Sequence, residues 1–216
     1  MAIPRLWSWR MSPFAGKARI AFAEKGVAVE LLEIDPRNRP ARLRELNPTG
    51  RVPTLEVDGH AIRESTVICE WLEDTQPEPA FWPADAGARA MGRGLLRFVD
   101  DELTRPFFLS MRKDAFGLDA TDHPDAVEHL RQQLSRRWPV AEKLLGRTDG
   151  PWLLAGEDPT LADLAAIPLA VRLPQWKPEL VPDPDGHPKL TDWLERLRQR
   201  PSVAEVDRQG EKVDGG

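Results

Sequence analysis

"RLWSWRMSPFAGKARIAFAEKGV" (residues 5–27) changes its period in the middle, and that change decides the fold. Over "RLWSW" the side chains alternate, Trp7 and Trp9 on one face and Leu6 and Ser8 on the other, which is the pattern of a strand. From Phe14 the spacing becomes helical, because Phe14, Ala18, Ala21 and Phe22 share one face. Lys25 supplies a cation near the helix end and Gly26 a left-handed stop. Working outward, "VAVELLEI" (27–34) reads as a second strand and "RPARLREL" (39–46) as a short helix closed by the turn-like "NPTG". "VPTLEVDGHAI" (52–62) gives two strands joined by Asp58-Gly59, a strong hairpin signal. "ESTVICEWLED" (64–74) is a helix with Val67, Ile68, Trp71 and Leu72 inward. The order βαβ, helix, ββ, helix describes an α+β unit over residues 1–77.

A proline-rich stretch, "TQPEPAFWPAD" (75–85), breaks the pattern, and the boundary is placed there, with a linker at 78–85 and an all-helical domain over 86–216. Thr121 or Asp122 is expected to cap a helix with Pro124 in its first turn and Val127, Leu130, Leu134, Ala141 and Leu145 inward. Pro139 is expected to kink it. Thr160 and Asp163 form a capping-box start in "DPTLADLAAIPLA", with Pro159 and Leu164 placed as a staple. Leu190, Trp193, Leu194 and Leu197 line the last helix, and "EKVDGG" (211–216) is expected to be disordered.

Composition narrows the function. The 216 residues are 41% apolar and 30% charged, with no apolar run near the roughly 20 residues that span a bilayer and no leader-like start, so a soluble, cytoplasmic protein without a membrane partner is expected. One cysteine, Cys69, excludes an internal disulfide, and His60, His123, His129 and His187 lack metal-site spacing, so no metal is expected. A net charge of -5 argues against nucleic acid, the basic clusters at Arg131–Arg137 and Arg196–Arg200 reading as solvated helix faces.

Three positions hold chemistry-bearing residue types in suggestive places. Ser12, at a strand-to-helix junction, is either a helix cap or a hydroxyl beside an anion at a helix N-terminus. A thiolate there would accept its hydrogen bond in the charged form only, which lowers a thiol pKa from about 8.5. Pro53 opens a strand, either as an ordinary edge proline or after a cis bond that turns the Val52 N–H and C=O outward to pair with an extended peptide. Ser65 either caps the next helix or, with the helix dipole, binds a carboxylate while Glu64 pairs with an α-amino group. The second readings together describe a small cysteine-containing peptide, and glutathione fits.

"SPFAGKARIAFAEKGV", "LNPTGRVPTL", the "ES" pair and "DPTLADLAAIPLA", in that order over nearly the whole chain, resemble the cytosolic glutathione transferase superfamily. The resemblance implies a thioredoxin-like N-terminal domain, an all-helical C-terminal domain and a homodimer. It implies glutathione as co-substrate, a cis Pro53, Val52 against the cysteinyl backbone, and Glu64 and Ser65 on the γ-glutamyl group. It further implies that Arg39 and Arg51 lie near the peptide carboxylates and that Phe14 lines the sulfur pocket. The chain has no tyrosine, so the tyrosine classes are excluded, and Ser12 in "MSPF" matches the tau-like serine and the cysteine of the omega-like "CPF". Ser8 is the weaker competitor. The expected activity is a serine-type glutathione transferase of tau, omega or zeta character, in which the thiolate attacks a small, apolar electrophile. The alternatives are a non-catalytic binding protein of the same fold and a glutathione-dependent isomerase or peroxidase. The second substrate would meet the first long helix of the second domain, where Phe98, Leu103, Phe107, Phe108, Met111 and Arg112 are either pocket or core.

Overall fold

The period change at Ser12 is a real junction. In the computed structural model, which describes residues 3–118 and 125–213, strand β1 (Arg5–Ser8) ends just before helix α1 (Pro13–Glu24). Strand β2 (Glu30–Glu33), helix α2 (Ala41–Leu46), strands β3 (Thr54–Val57) and β4 (His60–Arg63) and helix α3 (Ser65–Thr75) follow. Strand β1 pairs in parallel with β2 and antiparallel with β3, and β3 pairs antiparallel with β4. The β3–β4 turn has positive φ at both Asp58 (46°) and Gly59 (80°), the conformation that favours this dipeptide in a two-residue hairpin.

Helix α1 departs from the one-sided pattern. Ala15, Ala18, Ile20, Ala21 and Phe22 are buried, but so are Lys17 and Arg19, and Phe14 is only half-buried. The helix packs against α3 and within reach of a returning segment, so polar side chains find protein partners where the periodicity assigned them water. Lys25 likewise does not idle at the helix end. Its ammonium bonds Glu73 Oε2 at 2.5 Å and the carbonyls of Pro77 and Pro79 at 3.2 and 2.6 Å, and lies 4.2 Å from the Phe81 ring centroid. On α3, Ile68, Cys69 and Leu72 are buried as an inward face, whereas Val67 is 51% exposed and belongs to the outer one.

The largest departure is a fifth strand. The chain divides into one unit of residues 1–81 with 204–216 and another of 82–203, so the stretch assigned from sequence to the helical domain packs with the first unit. Strand β5 (Glu211–Lys212) pairs in parallel with β2, giving the order β4-β3-β1-β2-β5. "EKVDGG" is therefore ordered over its first three residues, Asp214–Gly216 lying outside the described ones. Besides that pairing, the Val213 N–H donates to the Glu33 carbonyl at 2.9 Å, and Val213 packs on the Trp7, Leu32, Ile34 and Leu43 cluster. The expectation failed because a two-residue strand in a polar stretch carries no periodic signal.

The second unit contains α4 (Ala86–Phe98), a π-helical turn (Val99–Thr104), α5 (Arg105–Phe116), α6 (Ala126–Leu145), α7 (Leu161–Leu164), α8 (Ile167–Trp176) and α9 (Pro188–Arg198). The expected Thr121, Asp122 and Pro124 start of α6 lies outside the described residues. The helix is capped instead by Asp125, whose side chain accepts the Glu128 N–H at 2.8 Å. Leu130, Leu134, Trp138, Ala141 and Leu145 form its buried stripe, and it continues through Pro139. Leu190, Trp193, Leu194 and Leu197 are buried on α9. The α7 capping box is present, and Asp163 does more than close it. Oδ2 accepts the Thr160 N–H and hydroxyl, both at 2.9 Å, while Oδ1 accepts the Leu153 N–H and the Trp193 Nε1–H, also at 2.9 Å. Burial pushes this carboxyl above its ordinary value, and the bonds from Leu153, Trp193 and Thr160 pull it back.

Candidate functional site

Strand register decides which candidate residues meet. Trp7 at the end of β1 faces Thr54 at the start of β3, and Thr54 faces Arg63 at the end of β4. The junctions that follow or precede these three residues therefore hang from one end of the sheet: the Ser12 turn, the Val52-Pro53 loop and the Glu64-Ser65 corner. The Lys17 Nζ bond to Thr66 Oγ1, at 2.9 Å, ties α1 to the first turn of α3.

Ser12 is the N-cap of α1, in extended conformation, with Pro13 next. Its N–H closes the preceding turn on the Trp9 carbonyl at 2.9 Å. Its buried Oγ accepts the Ala15 N–H at 3.3 Å. That bond uses a lone pair, and the hydroxyl proton is still available for donation. The cap reading and the donor reading therefore do not compete chemically. Ser8 is in a different situation: fully buried, it accepts from Arg19 Nη1 at 2.6 Å.

The loop into β3 is organised by a residue that the sequence offered only as part of a turn. Asn47, buried at the end of α2, donates from Nδ2 to the Arg51 carbonyl and to Thr54 Oγ1, both at 3.0 Å. Its Oδ1 accepts the Thr49 N–H at 3.1 Å and the Thr49 hydroxyl at 2.8 Å. Asparagine before Pro-Thr-Gly is an Asx-turn signal, which could have marked it. The Val52–Pro53 peptide is cis. Val52 rests its side chain on the cluster that also receives Trp9 and Val213, and its N–H and C=O form no hydrogen bond among the described residues. Arg51 is exposed, and Arg39 lies across Gly50, where an added Cβ would come within 3.2 Å of Arg39 Cδ.

At the third junction Glu64 is exposed and has φ 68° and ψ 123°. Positive φ is rare for a residue with a long side chain and is a form of strain that clusters at functional sites. Ser65 is buried at the first position of α3, where the N–H groups have no partner within the helix. Lys17, 1% exposed, places its ammonium 6.0 Å from the Phe14 ring centroid as well as on Thr66, which brings a cation to this corner.

The helical-domain candidates sort by burial. Leu103, Phe107 and Met111 are core, Phe107 meeting Trp176 edge-on at 5.8 Å. Phe98, Phe108 and Arg112 are half-buried, the Arg112 guanidinium lying 5.5 Å from the Phe108 ring. Among the described residues no group of three or more His, Cys, Asp or Glu side chains could hold a metal ion, and no helix is long and apolar enough to cross a membrane.

Comparison with known proteins identifies the family. Residues 6–80 match the family model of the glutathione S-transferase N-terminal domain and residues 99–201 that of the C-terminal domain. Glutathione S-transferase omega-1 of Mus musculus is 30% identical over 200 residues, 91% of this chain and 77% of the relative. The probable maleylacetoacetate isomerase of Caenorhabditis elegans is 30% identical over 190 residues, 84% of each chain. Among solved structures, a glutathione S-transferase from Methylobacterium radiotolerans in complex with glutathione sulfonate superposes with a TM-score of 0.71 at 29% identity, covering 100% of this chain and 99% of its own. The chain belongs to the glutathione S-transferase family, a glutathione-dependent enzyme with a thioredoxin-like N-terminal domain, a helical C-terminal domain and glutathione as its co-substrate.

Proposed function

We propose that the chain is a serine-type glutathione transferase in which the Ser12 hydroxyl donates a hydrogen bond to the glutathione sulfur. The observation that carries this reading is the Ser12 oxygen at the N-terminus of α1, which accepts from Ala15 and keeps its proton to give. A thiolate at that position gains from the hydroxyl and from the helix dipole, and neither favours the neutral thiol to the same degree. The serine orients and tunes the nucleophile; the nucleophile is the bound sulfur.

The rest of the tripeptide follows the sheet end. The Val52 N–H and C=O pair with the cysteinyl backbone as a short added strand. The γ-glutamyl carboxylate takes the Ser65 hydroxyl and the α3 N-terminus, with Glu64 on the amino group. Arg39 and Arg51 lie near the glycyl or γ-glutamyl carboxylate, and Phe14 lines the sulfur pocket. The co-substrate is a small, apolar electrophile, and the enzyme acts as a cytoplasmic homodimer. A glutathione-dependent isomerase is the second reading, favoured by the relative named a probable maleylacetoacetate isomerase. A serine cannot form a mixed disulfide, which disfavours thiol transfer.

The test is retention on immobilised glutathione with competitive elution, followed by rates with a halogenated aromatic, an organic peroxide and maleylacetoacetate. Retention and turnover of the aromatic are expected; turnover of maleylacetoacetate alone would replace transfer with isomerisation, and failure to bind would remove the whole reading. Asn47→Ala removes the brace of the Arg51–Thr54 loop, and glutathione KM is expected to rise about tenfold, equivalent to about 1.4 kcal/mol, with kcat nearly unchanged in steady-state kinetics.

A further inference from the structure

The turn that carries Ser12 is held from outside by residues that the transfer reaction does not use. The groups held are the Ser8 hydroxyl at the end of β1, the Arg10 N–H and C=O, and the Trp9 carbonyl that receives the Ser12 N–H. The Arg19 guanidinium, 1% exposed, donates from Nη1 to Ser8 Oγ at 2.6 Å and from Nη2 to the Arg10 carbonyl at 3.2 Å. The same fork donates from Nε to the Glu205 carbonyl at 2.8 Å and from Nη2 to the Val206 carbonyl at 2.9 Å. On the opposite flank the Arg10 N–H donates to Glu33 Oε1 at 2.6 Å, while the Glu33 carbonyl receives the Val213 N–H. The segment 204–213, returning after the whole helical unit, thus borders the turn through Arg19 on one side and through Glu33 on the other.

We infer that Arg19 is a positioning residue for the Ser12 hydroxyl, and that the returning segment 204–213 is the fixed support against which it holds the β1–α1 turn. This rests on the role proposed for Ser12. A planar fork with several donors can bridge a turn and a separate strand at once, whereas an ammonium presents its donors from one point and cannot span both. Gly210 makes the support specific: an added Cβ would lie 2.2 Å from the Leu31 carbonyl oxygen and 2.6 Å from Leu31 Cβ, so only glycine lets the segment approach β2 this closely.

The experiment compares Arg19→Lys and Gly210→Ala with the wild-type chain. It reads four quantities: steady-state kcat, glutathione KM, the pH midpoint for ionisation of the bound glutathione thiol by ultraviolet absorbance, and amide exchange at Ala15, whose N–H reports the Ser12 oxygen directly. Arg19→Lys is expected to lower kcat by roughly 10- to 100-fold, the cost of a displaced catalytic group. Glutathione KM should change less than about threefold, the thiol midpoint should rise, and Ala15 should exchange faster. Gly210→Ala, with the fork intact, should move kcat, the thiol midpoint and Ala15 exchange in the same directions by less. If Arg19→Lys does not fold, Ser8→Ala removes a single branch of the same fork and is expected to reproduce the faster Ala15 exchange. Folded variants with wild-type kcat, thiol midpoint and Ala15 exchange would overturn the inference and leave Arg19 as a tether for the segment alone. Should Ser12→Ala leave the thiol midpoint unaltered, the role of Ser12 falls, while Ala15 exchange still decides whether Arg19 positions it.

Discussion

Asp163→Ala is expected to destabilise the second unit by about 3 to 5 kcal/mol, a large share of the roughly 5 to 15 kcal/mol by which a domain is ordinarily stable. The carboxylate is fully buried, and all four of its bonds come from N–H or O–H groups: the Thr160 N–H and hydroxyl, the Leu153 N–H and the Trp193 indole. Alanine leaves those donors buried without acceptors, each at about 1 to 3 kcal/mol less what relaxation or an entering water recovers. Asp163→Asn is expected to be nearly as harmful, since its amide turns an NH2 toward two of the donors. Denaturant unfolding followed by tryptophan fluorescence measures the loss; a variant within about 1 kcal/mol of the parent would show that the cluster is dispensable. Since burial raises this carboxyl in the folded state, its contribution to stability is greatest below the unfolded value and declines as pH rises through the folded one. Protonation of Asp163 thus does not account for any loss of stability in acid.

Ser12→Ala is expected to reduce the transfer rate at neutral pH by roughly 10- to 100-fold, one to two pKa units of lost thiolate stabilisation at about 1.4 kcal/mol each. The pH dependence gives this its signature. A hydroxyl that favours the thiolate matters while the free thiol would be protonated, so the deficit should be largest at low pH and close as pH passes about 8.5. Loss of the cap to Ala15 alone costs about 1 kcal/mol of stability and would lower the rate, if at all, by a factor independent of pH. Rates of the two proteins compared across pH distinguish these outcomes, and parallel profiles would leave Ser12 as a cap only.

What the sequence disclosed follows from where periodicity and turn chemistry operate. The β1–α1 junction, the Asp58-Gly59 hairpin and the Thr160–Asp163 box were legible because each is a local rule expressed in adjacent residues. Ser12, Val52, Pro53, Glu64 and Ser65 were legible as candidates one by one, but that they share one end of the sheet follows from the pairing of β1 with β3 and of β3 with β4. Lys17 and Arg19 carried no signal in the sequence for the opposite reason. A charged residue in a helix is ordinarily assigned to water, and the partners that bury these two, Thr66, Glu205 and Val206, lie 49, 186 and 187 positions away. Asn47 was seen as punctuation because the four bonds that make it a hub depend on the closed loop. Strand β5 left no trace in composition, since its pairing depends on backbone groups and on a glycine small enough to pass Leu31.

The sheet order also has a consequence for synthesis. A ribosome delivers β1 to β4 early, yet the strand that lies beside β2 is translated only after every helix of residues 82–203. Until then the nascent thioredoxin-like layer carries an exposed edge, the kind of row of unpaired amides that recruits foreign strands. During that interval the growing polypeptide is most open to misassembly and to chaperone capture.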